Sequence, residues 1–483
     1  MKQVLRGLIL AAVLLGLCLP AGVQPVQAQT TFSCADVTQI PEIECEALVA
    51  LYNSTNGPNW IDHTNWLETN TPNDWLGVGA WSGNVTTLSL TENGLSGPLP
   101  VELGNLSSLT ELTLDGNQLT GSIPVELANL SSLEILLLEA NELTGAIPPE
   151  LGGLPHLQGL YLGSNQFSGP IPPELGSLSN LTGLSLASNQ LTGTIPIELT
   201  NLTNLQNLTL LKNQLTGSIP SELANLSSLL SLKLSYNQLS GSIPPELANL
   251  SNLYDLNLSY NQLSGSIPPE LSNIPGLYNL KLQHNQLTGS IPPELGNSVI
   301  RNLDLHNNLL TGEIPAEIGN VTNMSTLFLS NNQLTGSIPP ELGNLTNLHM
   351  LEIYGNQLTG SIPAELGNMT NLSTLNLYNN QLTGSIPVEL GNLVNLRCLY
   401  LSYNHLTGDV PASFVNLVKL YNPGAASGGK DGLDLDYNLL TVPEGYPVAG
   451  NPLHEFLFAK DPNWHLRQVP YSIHYIYLPT VLR

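Results

Sequence analysis

The sequence predicts a solenoid of stacked α/β coils, and three observations predict it. An anchor asparagine recurs every 24 residues from Asn93 to Asn285 and again from Asn308 to Asn404; steps of 23 and 34 lead into Asn308 and Asn438. Around it stands a fixed unit, L-x-x-L-x-L-x-x-N-x-L-T-G-x-I-P-x-E-L-x-N-L-x-x. Gly follows four residues after each of the first fourteen anchors and Pro seven after, which chance does not produce.

Each column has a physical task. The L-x-L segment predicts a short strand with leucines turned into the coil and the intervening residues turned out. Asn can satisfy backbone groups of neighbouring turns and tolerates a tight bend. Gly permits the turn that follows. Ile-Pro closes a second extended segment. Pro-x-Glu then opens a helical turn, with Pro suited to its first position and Glu to the positive end of its dipole. One coil cannot bury its own apolar face, so stability must come from stacked neighbours. At about 4.8 Å per strand, fifteen coils stack to roughly 70 Å.

The copies, of which Leu234 to Leu253 (LSYNQLSGSIPPELANLSNL) is typical, resemble the 24-residue class of leucine-rich repeats with the L-T-G-x-I-P signature, as in plant receptor-kinase ectodomains and polygalacturonase-inhibiting proteins. The resemblance covers about residues 85–442. It implies a curved superhelix with a parallel β-sheet on its concave face and caps at both ends. It also implies recognition of a protein, peptide or glycan there, inhibition of a wall-degrading enzyme being one form. No kinase domain or membrane span follows the repeats.

The flanks divide the chain further. Residues 1–28 read as a secretory signal: Lys2 and Arg6, an apolar run from Gly7 to Leu19, then Val26-Gln27-Ala28. A lipoprotein reading of Cys18 is disfavoured by Leu17 before it. Export predicts a secreted or cell-surface protein and a bond between Cys34 and Cys45, eleven apart, with Cys398 left over as a packed thiol. Residues 29–84 form the N-terminal cap, with a helix over Glu44 to Tyr52 and Trp60, Trp66, Trp75 and Trp81 as a lid on the first coil. W-x-G-V at Trp75 to Val78 resembles the family's cap, although the family's nearby cysteine pair is missing. Residues 443–483 are a C-terminal cap or tail: aromatic residues Phe456, Phe458 and Trp464, then YSIHYIYLPTVLR, which alternates like a closing strand or serves as a sorting tail. Asn422 to Gly432 is a Gly/Ala/Ser-rich insertion in the last unit.

Charge narrows the function. The chain has 12 Lys+Arg against 37 Asp+Glu, net −25, becoming −27 without the signal. Such acidity excludes a general nucleic-acid binder, and 41% apolar content excludes a disordered acidic chain. One Glu stands nine residues after thirteen successive anchors, Glu102 to Glu389, so the repeat itself supplies nearly half of the balance. Single carboxylates per coil make a poor calcium cage. No catalytic motif, metal-ligand spacing or cofactor fingerprint is present, so an enzyme, a metal and a cofactor are not expected. The Asn-x-Ser/Thr sequons follow from the consensus.

Candidate contact residues lie in the outward columns six, four, two and one before each anchor. Early coils place small or acidic groups there. Later coils bring Lys212, Lys233 and Lys281, a column of Tyr236, Tyr260 and His284 just before three successive anchors, then Phe328, Tyr354, Tyr378, Tyr400 and Tyr403. Rigid aromatics beside sparse cations suit a binding surface. His284 and His306, on adjacent coils, could share a ligand, but read more simply as two ordinary exposed concave residues. Replacing Tyr236, Tyr260 and Tyr354 by Ala is expected to abolish binding and leave unfolding nearly unchanged. Two alternatives remain: ice binding by the Ser/Thr ladder at Thr120, Thr144, Thr192, Thr216, Thr288 and Thr335, and a purely structural surface protein.

Overall fold

The computed structural model describes residues 32–421, 432–442, 444 and 446–468. The signal, nearly all of the insertion and the YSIHYIYLPTVLR segment lie outside the described residues. The repeats build one 16-stranded sheet. Its first two strands, Val78–Trp81 and Asn84–Ser89, are antiparallel. From there each coil adds one short parallel strand in register, as Ser231–Lys233 does beside Asn207–Thr209 and Asp255–Asn257. The sheet forms the concave face. Short two- and three-stranded ribbons run beside it through the T-G segments, for example Gln190–Thr192 beside Gln166–Pro170. The opposite side is a row of five-residue 3₁₀ turns opened by Pro, from Val101–Asn105 to Ala412–Asn416.

The core is a stack of leucine layers. Leu232 and Leu234 are fully buried on either side of the outward Lys233, and every coil repeats this pattern. The anchor asparagines stitch coil to coil. Asn237 Oδ1 accepts from Leu215 N of the preceding coil at 3.0 Å, while its Nδ2 donates to Leu210 O of that coil and Leu234 O of its own, both at 3.0 Å. A buried amide with every group occupied explains why no other residue serves. The T-G turn needs a left-handed residue, as at Gly217 with φ +79°.

The N-terminal cap is a helix, Glu42–Ser54, laid over the first coil. Cys34 and Cys45 form the expected disulfide. Trp60, Trp66 and Trp75 are buried against Tyr52 and one another. Trp81 corrects the expected lid: on the edge strand it is 76% exposed. Inside the cap, buried Glu44 accepts from Val85 N at 2.7 Å. At the other end the aromatic segment folds as a helix, Pro452–Lys460, started by Asn451, whose side chain accepts from Leu453 N and His454 N. Trp464 is buried behind it, whereas Phe458 is half exposed. No described helix is long and apolar enough to cross a membrane.

Candidate functional site

The residue before each anchor is left-handed in all fifteen coils, with φ from 51° to 68°. The backbone there favours Gly or Asn, and Gly116, Asn307, Asn331, Gly355 and Asn379 take that solution. Tyr236, Tyr260, His284, Tyr403 and Tyr437 instead carry rings at a position that costs a bulky side chain about 1–2 kcal/mol. Tyr236 and Tyr260 stack at 4.0 Å between centroids, and Tyr260 and His284 at 4.1 Å. Three such positions cost about 3–6 kcal/mol and the two ring pairs return about 1–3 kcal/mol, so the stacking repays only part of the backbone cost. Burial between the neighbouring rings, then the hydrogen bond with Tyr236, pushes the Tyr260 phenol up to about 12.

The ends of the stack are closed. Lys212 Nζ stands 6.0 Å from the Tyr236 ring. His306 meets His284 edge-on at 4.9 Å. Both histidines already have polar neighbours. His306 Nδ1 lies 2.5 Å from Asp304 Oδ1, and the Asn307 amide nitrogen lies 2.9 Å from His284 Nε2, which fits a neutral accepting ring. Burial and then the proximity of His306 hold His284 below the usual histidine range, against a smaller opposite pull from Asp304.

Across the strands the outward centre column forms one continuous row, Thr209, Lys233, Asn257, Lys281, Asp304, Phe328, Glu352, Asn376, Tyr400 and Asp434. Lys233 is not a free cation, since it pairs with Asp255 at 3.4 Å. The sequence-chosen residues thus separate into two groups, with Phe328 between. Lys212, Lys233, Tyr236, Tyr260, Lys281 and His284 gather on the middle coils. Tyr354, Tyr378 and Tyr403 form a second aromatic run, with centroids 6.3 and 5.2 Å apart, and Tyr403 continues to Tyr437 at 4.3 Å. Tyr400 lies beside this run in the row.

Two features escaped sequence reasoning. Tyr254 and Tyr278, 42% and 44% exposed, stand on the opposite rim of the sheet, and Arg301 lies 5.1 Å from the Tyr278 ring. They occupy the column seven before the anchor, just ahead of the strand, where other coils hold residues as different as Thr, Gln, Glu, Leu, Ser, His and Arg. The second feature is a concave pocket of about 760 Å³ at the C-terminal end, containing Tyr354, Tyr378, Tyr400, Asp434 and Asp436 and walled by Asp461, Asn463 and Arg467 of the cap. The L-D-L-D run of the last unit was its available signal.

Known proteins agree with this architecture. The family model described as a leucine-rich repeat region matches residues 266–422, and the Leucine Rich Repeat model matches seven stretches from 84 to 274. The chain belongs to the leucine-rich repeat family. A leucine-rich repeat protein of Leptospira interrogans is 32% identical, covering 69% of this chain and 94% of its own, with a TM-score of 0.52. The plant peptide hormone receptor RGFR1, solved in complex with RGF2, is 34% identical over 73% of this chain, TM-score 0.52, and this chain spans 66% of the receptor chain. PEPR1, solved with AtPEP1, is 27% identical over 82% of this chain and 75% of its own, also with a TM-score of 0.52. The repeats are of the plant type, and the fold is that of plant receptor ectodomains.

Proposed function

We propose that this is an exported binding protein that recognises a protein, peptide or glycan partner across its concave sheet, from the Lys212 coil to the last coil, without chemistry of its own. The observation that carries the reading is the ringed left-handed column. Tyr and His occupy positions where Gly or Asn would cost the backbone less, and their stacking offsets only part of that cost. The rim tyrosines Tyr254 and Tyr278 and the second aromatic run extend the same surface. The plant peptide hormone receptor RGFR1, solved with RGF2, supports a peptide as the partner by analogy. The disulfide in the cap and the signal-like residues 1–28 support a secreted or cell-surface location.

The test is affinity capture from culture medium and cell-wall extracts with wild type, Y254S/Y278S, and a convex-face control, E126Q/E150Q. A partner retained by wild type and the control but lost by the rim variant supports the reading. Equal capture by all three overturns it. One observation favours ice binding as a second reading: Thr194, Ser218, Ser242, Ser266 and Ser290 form an exposed hydroxyl column over five successive coils. Thermal hysteresis in the purified protein would establish it, and its absence at millimolar concentration would remove it.

A further inference from the structure

We infer that the C-terminal pocket of the concave face takes the cationic end of a basic peptide, a lysine or arginine side chain or an N-terminal ammonium, and so fixes which way an extended partner lies. The inference rests on the binding reading above and deepens it. The pocket, about 760 Å³, is closed on one side by the cap, so a chain laid along the sheet ends there. Among the described residues, Glu352, Asp434, Asp436 and Asp461 line it against one guanidinium, Arg467. Oxygens of the three aspartates lie within 4.8 Å of one another. Asp436 is 7% exposed; one of its oxygens meets Arg467, and the other, Oδ1, is buried with no hydrogen-bond partner. A buried carboxylate oxygen without a donor is costly, and an incoming N–H would satisfy it.

The cation is organic rather than a metal ion. Asp434 Oδ2 already accepts from Ser402 Oγ at 2.6 Å, its Oδ1 from Asp436 N at 3.2 Å, and Asp461 Oδ2 from Leu435 N at 3.1 Å. These donors leave fewer lone pairs for an inner-sphere ion, which would also sit against the Arg467 guanidinium. Calcium wants six to eight oxygens, whereas this cavity is far larger than an ion and carries Tyr354, Tyr378 and Tyr400, rings that attract ammonium and guanidinium groups. The middle coils differ in sign, with Lys212 and Lys281 on the same face. From the Lys212 coil to the cap the concave surface is therefore polarised, and a peptide lying there with its basic end at the cap is in the complementary orientation.

The experiment uses fluorescein-labelled hexalysine with the full chain, read by anisotropy at low salt, with hexaglutamate as the opposite-charge probe. D434N/D461N should raise the hexalysine Kd at least tenfold. E352Q/Y378A, which leaves the cap untouched, should raise it several-fold. The convex variant E126Q/E150Q removes the same charge elsewhere and should leave it unchanged. Equal weakening by the convex variant would mean only bulk attraction to an acidic protein and would overturn the proposal. So would calcium binding that D434N/D461N abolishes while hexalysine binding persists, or hexalysine binding seen only once residues 469–483 are removed. Because hexalysine reports the pocket alone, its outcome is independent of partner capture by the rim variant.

Discussion

At the scale of single residues, the stack at Tyr260 sets two effects of similar size against each other. The left-handed backbone costs a tyrosine about 1–2 kcal/mol, and two ring pairs return about 0.5–1.5 kcal/mol each. The two replacements therefore separate. Tyr260→Ala loses both ring contacts and keeps most of the backbone cost, so it should destabilise by about 1–2 kcal/mol. Tyr260→Gly also loses the contacts but relieves the backbone, so it should stay within about 1 kcal/mol of wild type. Denaturant midpoints of both variants measure the difference, and equal losses would refute the backbone argument. This corrects the expectation that alanines at Tyr236, Tyr260 and Tyr354 leave unfolding untouched: Tyr260 is sandwiched, and burial raises the Tyr354 phenol above its usual range. The stack itself was legible in the sequence, because three rings in one column of a 24-residue period must lie one strand apart. The left-handed cost of that column was legible only in part, through the glycines and asparagines that share it. The rim pair Tyr254 and Tyr278 was not, because its column lies outside the strand and shows no preference across coils.

At the scale of elements, the coils and the caps differ in how openly they are written. A coil repeats its instructions, so Leu, Asn, Gly and Pro each reveal their task by recurrence. A cap occurs once, and its decisive contacts are long-range. The helix Pro452–Lys460 has Asn451 and Pro452 as start signals, but Phe458 points to solvent and blurs the apolar pattern. Trp81 looked like its three buried neighbours until the edge strand turned it outward. Glu44 is the plainest case: a charged residue at the start of the expected helix, it is 2% exposed and takes the N–H of Val85, which opens the first repeat. Burial raises its carboxyl above the usual range, and the Val85 bond opposes this less strongly. A raised folded pKa means that the charged form is disfavoured in the fold. The wild type should therefore gain stability from this group as pH falls through the raised value toward 4.5. Glu44→Gln keeps an acceptor and removes the charge, so it should match or exceed wild-type stability at pH 7. Glu44→Ala orphans Val85 N–H and should cost about 1–3 kcal/mol. Chemical denaturation of the three proteins at pH 7 and pH 5 checks both statements, and a Gln variant as weak as Ala would show that the charge itself is needed.

At the scale of the whole molecule, the sheet has no centre: each coil touches the one before and the one after, and the contacts repeat. Glu111–Thr113 pairs with Ile135–Leu137, which pairs with Gly159–Tyr161 in the same register. Asn141 Nδ2 donates to Leu114 O and its Oδ1 accepts from Leu119 N; one coil later Asn165 does the same with Leu138 O and Leu143 N. Deleting residues 118–141 therefore removes one complete unit and leaves Asn165 facing Leu114 O and Leu143 N, the partners that the pattern requires. The shortened chain should keep its far-ultraviolet circular dichroism per residue and a cooperative melt, and small-angle scattering should find it shorter by about 4.8 Å, one strand spacing. Its hexalysine affinity should equal that of the full chain, because the deleted coil lies far from the C-terminal pocket. Deleting only residues 118–129 throws strand, anchor and turn out of phase and should abolish cooperative folding. If the full-unit deletion fails as badly as the half-unit one, stability is not a sum over neighbouring coils. The N-terminal coils would then have to act on the C-terminal surface over the length of the stack.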